Sequence, residues 1–314
     1  MYKIEKNITL VTTASPLNQN LALLETDTIA CIHAGFVNVI PVANPNRRCR
    51  YVSIHNGKGS VKQVKWMNFG DEILFVVASS AGLLVYDVGV YDLRFSHTCK
   101  KFDSVPDYTN GLCVVEDNIL CVGTNLGTIF LFQYTEKRNF SPLYYFDAHG
   151  EEITLLDGNG RYLLSSSSNA TRLWAKQDNN LFEILHQIYV EGLFSTPTVL
   201  KMISCLTFIG YGSGEFCVFD VRDSNFLVRT VAHKLKISGI DFCALRQIIL
   251  TVSEDSYIKL WLFRRDKSEA TCLFSVASED GPLCGVGFLN NIGTQFCVAS
   301  DNCVNIRVYN QNKS

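Results

Sequence analysis

Two histidines are the residues most capable of chemistry. His233 opens the stretch Ala232 to Phe263, AHKLKISGIDFCALRQIILTVSEDSYIKLWLF, and His149 follows Ala148 in a second stretch of similar design. Neutral imidazole suits a general base or a metal ligand. Here the companions of His233 are Ser253, Asp255 and Trp261: a hydroxyl, a carboxylate and an indole N–H. Such a set closes a hydrogen-bonded relay in which the imidazole joins a turn carboxylate, a strand hydroxyl and the indole, giving partners to groups that burial would otherwise strand. Catalysis would need a nucleophile, a base and oxyanion donors converging on one point, and no nucleophile-base pair has local support in the chain. The reading is therefore a structural relay of His233, Ser253, Asp255 and Trp261. His149 and Trp174 form a second, weaker one, because SSSSNATRLW lacks the turn Asp and Ser168 or Asn169 must serve in its place.

Other chemistries are excluded by pattern. Gly57-Lys58-Gly59, Gly210-Tyr211-Gly212 and Gly212-Ser213-Gly214 lie in or beside β-turns instead of opening a helix, so none reads as a phosphate loop. The 12 cysteines include no Cys-x-x-Cys, and most sit in strand-like runs as small apolar fillers. No metal or cofactor is expected. The N-terminal MYKIEKNITLVTTASP carries charges where a signal peptide needs a continuous apolar core, so the thiols are expected reduced and the protein cytoplasmic. A formal net charge of -2 gives no electrostatic case for nucleic acid or an anionic membrane.

The elements that must position these residues are strands. Helical periodicity is nearly absent, and short β-branched and aromatic runs alternate with turns rich in Gly, Asn, Asp and Ser. A bulky residue closes the third strand of each unit at Ile40, Tyr86, Phe132, Trp174, Phe219, Trp261 and Tyr309, with separations of 46, 46, 42, 45, 42 and 48 residues. That period is the length of a four-stranded propeller blade. The expectation is an all-β, seven-bladed propeller forming one domain over residues 1–314. Its blades cover approximately 20–54, 61–103, 110–147, 148–189, 197–231, 232–277 and 282–309. The seventh supplies only three strands, so residues 2–11 are expected to complete it and close the ring, removing two exposed edges.

HKLKISGIDF followed by LTVSEDSYIKLW resembles the WD-repeat family. More narrowly, CVGTNLGTIFLF, GYGSGEFCVFDV, PLCGVGF and VKQVKWM resemble the family of WD repeat-containing protein 54. The resemblance implies a non-enzymatic, protein-binding scaffold, with links to receptor signalling and vesicles. Departures from the general WD pattern are Ala-His for Gly-His in both openings, and no Trp-Asp pair in any unit.

Loop sorting gives the candidate surfaces. Loops leading into each blade and loops joining its second and third strands share one rim, the upper. On it fall Asp103, Asp107, Glu151, Glu152, Glu191, Glu215, Glu254, Asp255, Glu279 and Asp280, against Lys58, Arg172, Lys234 and Lys236. An acidic rim favours a protein partner presenting a basic segment. Self-association is compatible with this reading, nucleic acid is not a partner, and membrane contact is peripheral at most. The alternative is phosphoinositide binding by Arg264 and Arg265, because FRRD resembles the Phe-Arg-Arg-Gly motif of lipid-binding propellers, although Asp266 replaces the Gly. Arg47, Arg48 and Arg50 form a further basic cluster. The central channel is expected to be lined by small and apolar residues, with no cluster of three or more carboxylates or histidines.

Overall fold

Runs such as ILCVGT and LTFIGY are apolar on both faces, so each strand must be covered from both sides. A four-stranded sheet achieves that only with another sheet against each face. The computed structural model describes residues 2–25, 27–43, 50–53, 59–101, 108–222 and 224–311. Their 28 strands form seven antiparallel four-stranded sheets, the seven blades of a β-propeller.

Strand β1 (Tyr2–Thr9) stands outside the repeat order. Blade 1 holds β2 (Ala22–Leu24), β3 (Thr28–His33), β4 (Phe36–Pro41) and β5 (Arg50–Ser53). Blade 2 holds β6 (Val61–Phe69), β7 (Glu72–Ser79), β8 (Gly82–Asp87) and β9 (Leu93–His97). Blade 3 holds β10 (Thr109–Val115), β11 (Ile119–Thr124), β12 (Thr128–Tyr134) and β13 (Phe140–Asp147). Blade 4 holds β14 (Leu155–Asn159), β15 (Tyr162–Ser166), β16 (Thr171–Lys176) and β17 (Phe182–Ile188). Blade 5 holds β18 (Pro197–Ile203), β19 (Leu206–Tyr211), β20 (Glu215–Asp220) and β21 (Asn225–Val231). Blade 6 holds β22 (Ile237–Cys243), β23 (Ile248–Ser253), β24 (Tyr257–Arg264) and β25 (Glu269–Ala277). Blade 7 takes β26 (Leu283–Phe288), β27 (Gln295–Ser300) and β28 (Asn305–Gln311), and is completed by β1.

The cores lie between blades, not within them. Phe69, Val76, Val122 and Phe132 join blades 2 and 3, and Phe208, Phe216, Ile249 and Trp261 join blades 5 and 6. Leu250, Leu260, Val286 and Phe296 join blades 6 and 7. Each blade is therefore stabilised by its neighbours, and closure of the ring is part of its stability.

Closure is made by β1 on β28, antiparallel from Tyr2 opposite Gln311 to Thr9 opposite Asn305, with a bulge between Ile4 and Lys6. The bulge changes which side chains point inward: Ile4 is exposed, whereas Ile8 is fully buried between blades 7 and 1. Tyr2 donates its hydroxyl to the Gly293 carbonyl at 2.6 Å and packs on Phe296 and Phe274. The chain then crosses to the channel mouth. There Asn20 bonds Ser15 and Ile32, its N–H meets the Cys284 carbonyl at 2.9 Å, and Asn18 reaches the Thr198 carbonyl at 3.0 Å. One segment thus ties blades 1, 5 and 7.

Ile8→Ala is expected to lower unfolding stability by about 2–4 kcal/mol in urea titrations, the usual loss for emptying a sealed aliphatic site. Ile4→Ala should stay within about 0.5 kcal/mol because its side chain already meets solvent. Equal midpoints for the two variants would contradict the closing role of β1.

Candidate functional site

In blade 6, His233 Nδ1–H donates to both carboxylate oxygens of Asp255 at 3.1 Å, and its Nε2 accepts from Thr251 Oγ1 at 2.9 Å. Trp261 Nε1–H donates to the same Thr251 oxygen at 3.0 Å. One neutral tautomer satisfies the whole chain of bonds from indole to carboxylate. The strand hydroxyl is Thr251, not the expected Ser253. Register gives the reason: Trp261 lies opposite Ile249, so Thr251 is its diagonal neighbour, whereas Ser253 is four residues along, roughly 13 Å away. Ser253 instead caps the turn, donating to the Leu235 carbonyl at 3.1 Å and accepting from Asp255 N–H at 3.0 Å.

Blade 4 repeats the register. Trp174 lies opposite Leu163, and Ser165, two residues on, receives the indole N–H at 2.9 Å and bonds His149 Nε2 at 2.7 Å. Ser168 and Asn169 do not stand in for the missing Asp; both bond Glu151. Where the third strand closes on a residue other than Trp, the hydroxyl position is apolar: Cys31, Val77, Val122, Ile209 and Val298. Burial holds His233 near a pKa of about 4 despite the Asp255 carboxylate, and burial with the Arg172 charge does the same to His149. Both rings are neutral at pH 7.

Each Ala-His pair docks on the preceding blade. Ala148 and His149 both donate backbone N–H to the Gly127 carbonyl, as Ala232 and His233 do to Gly214. Gly127 and Gly214 have φ of +77° and +84°, and a Cβ at either would lie within 2.2 Å of the histidine carbonyl. Glycine is required there on both counts.

The channel departs from the expected apolar lining. Below the mouth a cavity of about 250 Å³ is walled by Lys65, Asp157, Lys201 and Asp241, together with Gln63 and Trp66. Lys65 bonds Asp157 at 2.8 Å and the Leu112 carbonyl at 2.8 Å, and Asp157 also accepts the Met202 N–H of blade 5. Lys201 pairs with Asp241 at 3.1 Å, and Asp241 accepts the Phe288 N–H of blade 7. The Asp241 carboxylate raises the Lys201 pKa. Each Asp thus ties its own blade to the next. Among the described residues, no three His, Cys, Asp or Glu side chains converge as a metal site.

The described cysteines are free thiols, and burial pushes Cys217 and Cys284 up to about 12. Arg265, offered with Arg264 as a phosphate contact, is engaged by the buried Asp220, which also pairs with Arg222. Only Arg264 of the two is exposed without a charged partner among the described residues.

On the upper rim four of the acids have a cationic partner among the described residues. Glu215 pairs with Arg229 at 2.8 Å, Glu254 with Lys236 at 2.7 Å, and Glu279 and Asp280 both with Arg307. Asp255 belongs to the relay. Glu151 bonds only Ser168 and Asn169, Glu152 accepts from Tyr108 and Asn110, and Glu191 is exposed. Those three carboxylates, all on blade 4 or the segment leaving it, lack a cationic partner among the described residues. Asp103, Asp107, Lys58, Arg47 and Arg48 lie outside the described residues, as does the Arg50 side chain.

A family profile for WDR54 matches residues 1–312. The chain belongs to the WDR54 family. It is similar to WD repeat-containing protein 54 of Homo sapiens, 22% identical over 334 residues that cover 98% of each chain. The Mus musculus protein of that name is 22% identical over 326 residues, covering 95% of this chain and 96% of its own. A chain in the crystal structure of the mitotic checkpoint complex superposes with a TM-score of 0.81 over 99% of this chain and 92% of that one. At 14% identity, that likeness speaks for the fold alone.

This WDR54-family propeller holds two features that sequence reasoning missed. The strand-borne cations Arg229 and Arg307 reach the rim from β21 and β28, and loop sorting does not count strand residues. Lys201 and Asp241 are single charges inside apolar runs, LKMI and GIDF, and that isolation is the readable signal for this pair.

Thr251→Val should cost about 2–4 kcal/mol, because it leaves both the Trp261 N–H and His233 Nε2 buried without partners. Ser253→Ala should cost about 1 kcal/mol. The reverse order in urea unfolding would refute the register argument. Acidification should also destabilise the WDR54-family fold. The folded-state pKa of each relay histidine lies below its unfolded value of about 6.5, so the stabilisation is complete above that pH and is lost as pH falls toward about 4. The loss is on the order of 3 kcal/mol per ring. A flat stability profile from pH 7 to pH 4.5 would contradict it.

Proposed function

We propose that this WD-repeat propeller is a non-enzymatic, cytoplasmic protein-interaction scaffold whose upper rim binds a basic segment of a partner protein. We further propose that it works in receptor-signalling or vesicle-associated complexes, as the resemblance implies. The observation that carries the reading is the negative charge gathered on one sector by Glu151, Glu152 and Glu191, which lack a cationic partner among the described residues, whereas Glu215, Glu254, Glu279 and Asp280 on the same rim are ion-paired. Such a sector steers and orients a cationic partner. It disfavours nucleic acid and anionic lipid for the same reason. A lipid reading through Arg264 and Arg265 is weakened by the Asp220 pairing of Arg265.

The test is proximity labelling from native cells with the full chain, followed by the triple reversal Glu151→Lys, Glu152→Lys and Glu191→Lys. Reproducible partners of the wild-type chain should be lost from the variant. They should persist with Glu183→Lys, which lies on the outermost strand of blade 4, away from the rim. Partners that survive the triple reversal unchanged would rule out the acidic sector as the contact.

A further inference from the structure

The segment linking blade 4 to blade 5, YVEGLFST, is unusual for a turn because it presents large apolar groups to water. Tyr189 is 72% exposed and Phe194 94% exposed. They flank a groove of about 420 Å³ whose floor is Ile188, Pro197 and Tyr211 and whose far wall is the Ser168–Thr171 loop. Aromatic groups standing in solvent beside a concave apolar floor are what a binding anchor looks like before its partner arrives.

The segment is held at both ends. Arg229 donates to the Glu191 carbonyl at 2.8 Å and to the Gly192 carbonyl at 3.3 Å, while Glu215 fixes its guanidinium. Leu193 N–H bonds the Val190 carbonyl, and its side chain packs into the core between blades 4 and 5. Ser195 Oγ accepts from Ser213 N–H at 2.9 Å, and the Thr196 carbonyl accepts from Gly212 N–H at 3.0 Å. Phe194 is therefore displayed by an ordered backbone, and little ordering is left to oppose binding.

Charge defines the occupant. Glu151, bonded to Ser168 and Asn169, stands on the far wall, and Glu191 lies on the near side. Of the neighbouring cations, Arg229 is paired with Glu215, and Arg172 is held by the Ala148 carbonyl, which leaves its charge in place. We propose that this groove docks an extended segment of a partner protein that inserts an apolar side chain beside Phe194 and Tyr189 and sets a nearby Lys or Arg against Glu191 and Glu151. The assignment rests on the scaffold reading above and gives it a location and a sequence preference.

The experiment pans a phage-displayed library of random dodecapeptides against the full chain, then measures the selected peptides by fluorescence anisotropy. Enriched peptides should pair an aromatic or aliphatic residue with Lys or Arg a few positions away. Phe194→Ala and Tyr189→Ala should each weaken binding about tenfold or more. Glu191→Lys should weaken it in a way that salt diminishes. These side chains are exposed, so the variants should melt with the wild-type midpoint, which separates lost binding from lost folding. Peptides that respond to Glu151→Lys and Glu152→Lys but ignore Phe194→Ala would overturn the groove while leaving the acidic rim intact. Indifference to every substitution would overturn both. Phe194-dependent flotation with phosphatidylserine-containing vesicles, in the absence of peptide enrichment, would assign the face to a membrane and overturn the proposal.

Discussion

The whole structure depends on one constraint: no blade can cover its own two faces. The interior strands are apolar on both sides, and the clusters that bury them belong to pairs of blades. A missing neighbour exposes a core instead of merely shortening an array. Local pairing of β26, β27 and β28 is therefore insufficient, and the strand that completes blade 7 must come from the far end of the chain. The β1–β28 pairing brings partners about three hundred residues apart in sequence into register. Closing so distant a contact carries a large loop-closure cost, which favours slow folding.

The same constraint explains where polar groups are admitted. In the two blades that close on Trp the buried strand hydroxyl is shared: Thr251 and Ser165 each serve an indole and an imidazole. In the five blades without the indole, the equivalent residue is apolar. Indole, hydroxyl and histidine are thus present or absent as one unit. The channel follows a related rule, because Asp157 and Asp241 each accept a backbone N–H from the next blade as well as a lysine. A carboxylate with several donors tolerates low dielectric far better than an unpaired one.

The fold was legible because a propeller writes its period into the chain. Bulky residues closing each third strand from Ile40 to Tyr309 recur at the length of four strands and their turns, and a three-stranded last unit implies a donor. The relay was legible only to the level of residue type. Choosing Thr251 over Ser253 required the strand register, which the gap from the SEDS turn to Trp261 does not fix until the pairing of Ile249 with Trp261 is known. The rim was less legible still. Arg307 sits mid-strand in NIRVY, yet it pairs with Glu279 and Asp280, which precede it by more than twenty residues. Net charge on a surface depends on which strand ends share a rim and which long side chains reach it, and neither is written locally.

Rigidity and recognition are linked at blade 4. Its relay lacks the turn carboxylate that blade 6 has, and the loop where that Asp would stand turns outward instead, with Ser168 and Asn169 bonding Glu151 on the rim. The blade keeps the indole, the hydroxyl and the imidazole, so its interior anchor survives the exchange. What the interior gives up is one partner for the His149 ring. What the surface gains is a carboxylate positioned by two side chains at the edge of an apolar groove. A residue free of structural duty inside a repeat is available for contact outside it, and in this chain that exchange occurs beside the segment that displays Phe194.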